Sequence, residues 1–418
     1  MLFIKHKLMR ILCVMAAVMM IASSCGSDTV DEPAVPDAAA SLVLHIRSVE
    51  QRAPSGETES DGFDRLRIII INDQGTIEVN RPVSFYNGSA TEYYAIYPIA
   101  PGQGKYIYVI ANPDQAGLDF TPYPEGSNAD IRSYLESYSF TPAFSGEPKL
   151  VMTDSRFIEA KDLLPGSRAT VNLNLVRVAT KFSVYITNLR DEDITLRSFS
   201  VSSMADRQFL MPHFTGSKGS HPDNGEHIVG ASGLMGFDFE GVGTDMHWSD
   251  WLREAVDESN IDINDVTVAD RRGWIMKYSV PDGTAHSARA FSLGAAPVIA
   301  GGATYELPVH YFCESRYGVL DNSTFGGGAA RGYEQAYTFD ISFSSREGGD
   351  KSFTGYRLPN LRALFRNTHV IVNIKAHQEK LTCEVQVVPY VQIDLRPGFG
   401  WDKLPDTDEK PDPDLDKN

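Results

Sequence analysis

An all-β fold, two successive β-sandwich domains of transthyretin-like or Greek-key connection with few short helices, is what this sequence predicts. Three observations carry the prediction. Glycine (34) and proline (23) punctuate a chain of 418 residues, so turns are frequent. The apolar runs are short and close on Asn, Asp, Gly or Pro, and no helical pattern of ten or more residues follows each of them, which argues against a parallel α/β sheet. The length exceeds one average domain of ~150 residues.

Taken in order, the chain opens on a secretory signal. Lys5, Lys7 and Arg10 precede an apolar run over 11–22, then Ser23, Ser24 and Cys25. The run is about a dozen residues, short of the ~20 that span a hydrocarbon core, so residues 1–24 read as a cleaved signal. The segment Ala22-Ser23-Ser24-Cys25 resembles a bacterial lipobox, which implies that Cys25 is the acylated first residue of the mature chain; the alternative is a cleaved signal with an incidental cysteine nearby. Residues 25–40 are small, acidic and proline-containing and read as a flexible tether.

The N-terminal domain is expected over 41–177. Its first strand is 42–46, with Leu42, Leu44 and Ile46 alternating, followed by a polar loop over 51–62. The run RLRIIII over 65–71 meets NDQG, a strand entering a turn. Further strands are expected at 93–97, 105–111 and 169–174, and one helix at 131–138. The run LVRVATKFSVYIT over 175–187 ends one domain and starts the next.

The C-terminal domain is expected over 178–396, with strands at 196–201, 274–278, 305–312, 337–343, 370–374 and 384–395. A polar, glycine-rich insertion is expected over 209–270, with a short helix at 248–256. Insertions of that length on a β scaffold carry binding residues or serve as spacers. Residues 397–418, rich in Pro, Asp and Lys, read as a disordered acidic tail.

Composition narrows function. The net charge of −17 becomes −20 once the three basic signal residues leave, with no basic stripe to bind phosphates, so nucleic acid is not an expected partner. Cys313 and Cys383 both fall in strand-like runs and suit either a disulfide or two buried thiols; they are too few for a structural zinc.

No catalytic residues, metal ligands or cofactor are expected. Ser232 sits in GASG, which lacks the spacing of a nucleophile elbow. The glycines 326–328 lack the Lys-Ser/Thr of a P-loop. Asn260, Asp262, Asn264 and Asp265 lack the glycine and the final glutamate of an EF-hand, where Arg271 stands instead. His213, His221, His227 and His247 are polar-loop residues without zinc spacing. Trp248, Trp251 and Trp274 could stack on sugars, although tryptophan is more commonly a core residue.

The lipoprotein signal, the ordered strand segments DRLRIIIINDQG, LVRVATKFSVYI, RNTHVIVNIK and EVQVVPYVQIDL, and the closing PGFGW together resemble the fimbrillin superfamily, the type V pilus proteins of Bacteroidales-type bacteria. The likeness covers nearly the whole mature chain. It implies a lipoprotein precursor of a cell-surface fimbrium, carried to the outer membrane by a palmitate-type lipid on Cys25, with Asp28, Asp31 and Glu32 matching an acidic signal for transfer to the outer face.

It also implies assembly by β-strand addition to other fimbrial subunits. An arginine-specific protease cuts after the first strand, for which Arg52 is the matching position and Arg47 the second. Loss of the strand bearing Leu42, Leu44 and Ile46 opens a groove that a neighbour's strand fills. The matching donor, or an ordinary last strand, is the run with Val385, Val387, Val391, Ile393 and Leu395 on either side of Pro389. A tip or accessory pilin with a host protein or glycan ligand is the leading expectation, because the acidic tail departs from a chain that ends on its donor strand. A lipid-retaining basal anchor and a surface glycan-binding lipoprotein are the alternatives.

Overall fold

The computed structural model describes residues 39–48, 50–52, 58–60, 62–85, 90–144, 149–211, 213–215, 226–228, 281–316, 337–359, 361 and 363–389. The fold is mostly β-strand. Its first ten strands are β1 (Ala40–Ser48), β2 (Glu50–Arg52), β3 (Thr58–Ser60), β4 (Arg65–Asn72), β5 (Ile77–Ser84), β6 (Glu92–Ile99), β7 (Lys105–Ala111), β8 (Ser139–Phe140), β9 (Met152–Ile158) and β10 (Arg168–Arg177). Seven of them form one nearly closed, barrel-like sheet in the order β5-β4-β7-β9-β10-β1-β6. The sheet bends at β10, whose residues 168–175 run parallel to β1 while Val176 and Arg177 pair antiparallel with β9.

The isoleucine run of β4 is continuous because both of its faces are buried. Leu66, Ile68 and Ile70 enter the core inside the sheet. Ile69 and Ile71 belong to a second cluster outside it, with Ile131 and Leu135 of the helix α1 (Ile131–Ser137) and with Leu210 and Met211. This helix starts where expected, its first turn capped by Asp130, whose carboxylate accepts the Ser133 N–H at 3.0 Å.

The remaining strands are β11 (Thr180–Asn188), β12 (Ile194–Ala205), β13 (Gln208–Phe209), β14 (His213–Thr215), β15 (Glu226–Ile228), β16 (His286–Ala290), β17 (Val298–Ile299), β18 (Thr304–Glu306), β19 (His310–Phe312), β20 (Ser315–Arg316), β21 (Thr338–Ser345), β22 (Gly349–Arg357), β23 (Ala363–Leu364), β24 (Thr368–Ala376) and β25 (Leu381–Pro389). One sheet is β18-β11-β24-β25 with β19 also on β11, and the other is β16-β12-β21-β22 with β17 also on β12. Both line one core, to which Phe182 and Val184, Phe199 and Val201, Ile341 and Phe343, and Val370 and Val372 contribute in alternation.

The two halves meet through β8, which pairs with β13, and Arg366 ties the end of β13 and the segment that follows it to the second half. That side chain is 1% exposed, donates from Nε to Glu314 Oε2 at 2.5 Å, and donates to the Leu210 and Phe209 carbonyls at 2.7 Å each.

Several expectations change. The expected polar insertion begins with Phe209, Leu210 and Met211, which are buried because they dock onto the first half. The strand expected at 305–312 is two, β18 and β19, on one edge of β11, since Pro308 between them lacks a donor N–H. The loop expected over 51–62 contains the paired strands β2 and β3. The tether expected to reach residue 40 ends sooner, since Ala40 already belongs to β1 and is fully buried. His213 and His227 lie in the paired strands β14 and β15, not in loops.

Cys313 and Cys383 are free thiols, the first buried and the second half-buried. Burial pushes the Cys313 thiol well up and the Cys383 thiol to about 12. Cys25, His221, Ser232, His247, Trp248, Trp251, the 260–265 cluster, Trp274, the glycines 326–328 and the tail lie outside the described residues.

Candidate functional site

β1 is the first strand among the described residues, and it is an inner strand. It pairs parallel with β10 and antiparallel with β6, so its backbone is engaged on both edges. Leu42 lies between Ala169 and Tyr97, Leu44 between Val171 and Ala95, and Ile46 between Leu173 and Tyr93. All three β1 side chains are fully buried. Their burial contributes about 5 to 9 kcal/mol in total, taking ~1.5–3 per side chain.

The ends are secured as well. Ser41 N–H donates to Ser167 O at 2.9 Å, Gly166 N–H to Ala39 O at 3.0 Å, and Ser48 N–H to Thr91 O at 2.9 Å. On the opposite face Val43 is buried and His45 bonds the Glu92 carboxylate. Arg47 Nε is buried without a hydrogen-bond partner.

Removing such a strand would leave the β6 and β10 edges unpaired above an apolar slot. The two arginines differ in access. Arg47 stands inside β1, opposite Glu92 and Asn174, with both ladders to break before a protease could seat its backbone. Arg52 ends β2 and, among the described residues, its backbone pairs with Thr58 in a ribbon of three residues a side, marginal by itself. Sequence periodicity found β1, β6 and β10 as strands but gave no signal that β6 and β10 flank β1, because those pairings join residues far apart in the chain.

The other candidate strand divides. β25 starts at Leu381 and pairs antiparallel with β24, placing Val385 opposite Val372 and Val387 opposite Val370. Val387 is buried and Val385 packs against the same core, so both serve their own sheet. Val391, Ile393 and Leu395 lie outside the described residues.

Among the described residues no group of three or more His, Cys, Asp or Glu side chains is placed to hold a metal ion, and no helix is long and apolar enough to cross a membrane.

The chain is similar in structure to fimbrial and cell-adhesion proteins of Bacteroidales at low identity, over most of its length. A cell-adhesion protein from Parabacteroides distasonis overlaps with a TM-score of 0.48 at 11% identity, over 86% of this chain and 99% of that one. The tip fimbrial protein Mfa3 from Porphyromonas gingivalis overlaps at 0.46 and 12%, over 84% and 99%. A fimbrilin from the same species overlaps at 0.41 and 13%, over 85% and 98%. No family model matches the chain, and no curated protein matches it.

Proposed function

We propose that this chain is a non-catalytic structural or adhesive subunit of a cell-surface fimbrium, a tip or accessory pilin, assembled by β-strand addition at the place of β1. The observation that carries the reading is β1 itself. It is the first of the described strands and an inner one, apolar on its core face, and a cut after Arg52 detaches it at the cost of only the short β2–β3 ribbon. Cleavage after Arg52 releases it and Arg47 is the second position; the vacated edges then accept a strand from another subunit.

In this reading Cys25 carries the lipid that holds the precursor to the outer membrane, and residues 25–40 are the tether. The folded part divides into domains at 41–177 and 178–396, with the insertion over 209–270 available for a host protein or glycan and the tail over 397–418. Val385 and Val387 belong to their own sheet, so the donor in this reading is the part of the run beyond β25, with Val391, Ile393 and Leu395.

The test is to isolate surface filaments from the native cell. The subunit reading expects the chain within them, starting after Arg52. A chain that keeps its lipid and β1 at the filament base makes it the anchor. A chain found only as free lipoprotein that binds a glycan array makes it a glycan-binding protein. Labelling with a fatty-acid analogue should mark the wild type and not Cys25→Ser.

A further inference from the structure

The sheet around the first core stays open between its end strands β5 and β6, which border a cleft of about 920 Å3. Both walls turn backbone groups toward it. Ser48 N–H donates to Thr91 O at 2.9 Å, so the two-residue period points the backbone of residues 93, 95 and 97 at β1 and that of Tyr94 and Ile96 at the cleft. On the other wall Phe85 N–H donates to Asp64 O at 2.9 Å, which turns the backbone of Pro82 and Ser84 away from β4. Among the described residues no other strand meets these outward groups.

The lining is aromatic and hydroxylated rather than simply apolar. Tyr93, Tyr94 and Tyr97 line the β6 wall, and Ser84 adds a hydroxyl to the β5 wall. Tyr97 is 6% exposed and bonds Tyr93 side chain to side chain; burial pushes its phenol up from the ordinary value, so it stays a neutral hydrogen-bonding group. Tyr94 is 58% exposed. The rim offers no free charge, since Arg81 Nε donates to the Glu125 carboxylate at 3.1 Å and Arg168 is also engaged.

These features select the chemistry of an occupant. A hydrocarbon would cover the N–H and C=O groups of Tyr94 and Ile96 without satisfying them, which is costly. An anion would find both arginines taken. An inserted strand could not be paired on both sides, because Pro82 supplies no donor. A pyranose meets every demand: its C–H face packs on a tyrosine ring, and its hydroxyls pair with the backbone groups, the phenols and Ser84.

We infer that the cleft between β5 and β6 binds a neutral oligosaccharide, with Tyr94 as its stacking ring and the Tyr93–Tyr97 pair as its buried hydrogen-bonding group. The volume lies within the ~300–1,000 Å3 of small-molecule sites, room for a short chain of sugars. The inference rests on the adhesive part of the functional reading and gives it a place outside the 209–270 insertion. The strand removed in that reading lies on the opposite edge of β6, so the cleft is present before any cleavage.

The test uses the mature chain with Cys25→Ser, uncleaved, and an immobilised panel of lactose, N-acetyllactosamine, cellotriose and mannotriose with sialylated and sulfated counterparts. At least one neutral member should bind. Its affinity should fall about tenfold or more in Tyr94→Ala and stay close to wild type in Tyr94→Phe, which keeps the ring. Tyr94 is exposed, so the alanine variant should keep its unfolding midpoint, and a loss of binding is then not a loss of fold. Binding unchanged in Tyr94→Ala would put the sugar elsewhere on the chain and overturn the inference. So would binding only of the charged members, or no binding to any neutral one. The measurement is made on the isolated chain, so its outcome is independent of whether the chain is found in filaments.

Discussion

Leu44 and Val171 face each other across the parallel pairing of β1 with β10, and both belong to the core inside the barrel-like sheet. The first and last strands of this half are therefore neighbours, and the sheet relies on β1 to bridge β10 and β6. Leu44→Ala should cost about 2–5 kcal/mol in denaturant unfolding, the usual price of a fully buried leucine. Val43→Ala, on the other face, should cost less. Negligible loss in both variants would mean that β1 is held by its backbone alone.

The buried pair of Arg366 and Glu314 predicts an asymmetric response. Glu314→Gln takes the Glu314 carboxylate from a guanidinium that is 1% exposed, and should destabilise by about 3–5 kcal/mol. Replacing both residues by apolar ones of similar volume should cost less than the single change. A double variant as unstable as the single one would show that the contacts to Phe209 and Leu210 matter more than the charge.

Glu125 gives a pH signature. Burial alone would raise its pKa, but the Asn80 N–H and the Arg81 guanidinium outweigh burial and hold the carboxyl below its ordinary value. A depressed carboxylate stabilises the fold fully above its unfolded pKa of about 4.3, and that contribution is lost as pH falls through the folded value. The stability difference between wild type and Glu125→Gln should therefore be present at pH 7 and absent near pH 2. The side chain is 37% exposed, so the difference should also shrink with salt. A difference that persists in acid would contradict the assignment.

Both thiols of the described fold should be inert in the native state. Cys313 is buried and the Cys383 thiol is pushed to about 12, so neither carries appreciable thiolate near pH 8. A thiol reagent should label neither in the folded Cys25→Ser mature chain and both after denaturation. Fast labelling of Cys383 in the native protein would place β25 in an open state.

Legibility in the sequence followed the apolar pattern closely. β4, β7, α1 and β24 stand out because most of their buried positions are apolar, although Lys105 of β7 and Thr368 and His369 of β24 are buried as well. β9 was missed since its buried residues Thr153, Asp154 and Ser155 are polar, satisfied in part by the Asp154 carboxylate bonding the Asn174 and Ser155 N–H groups. β5 carries Pro82 and β22 is an exposed edge strand, so neither shows a clean alternation. The site was half legible: Leu42, Leu44 and Ile46 read as one buried face, but their partners Val171 and Ala95 are set by long-range pairing that no local pattern encodes.

Removal and replacement of β1 is the central claim, and limited digestion followed by exchange tests it most directly. The folded mature chain is treated with an arginine-specific protease, the cuts are mapped by mass spectrometry, and a labelled peptide of residues 39–52 is added. The account predicts a first cut after Arg52, incorporation of the peptide in place of the released strand, and oligomers from the trimmed protein, with Arg52→Ala blocking all three. Resistance at Arg52, or a cut there that leaves a monomer taking up no peptide, would contradict it.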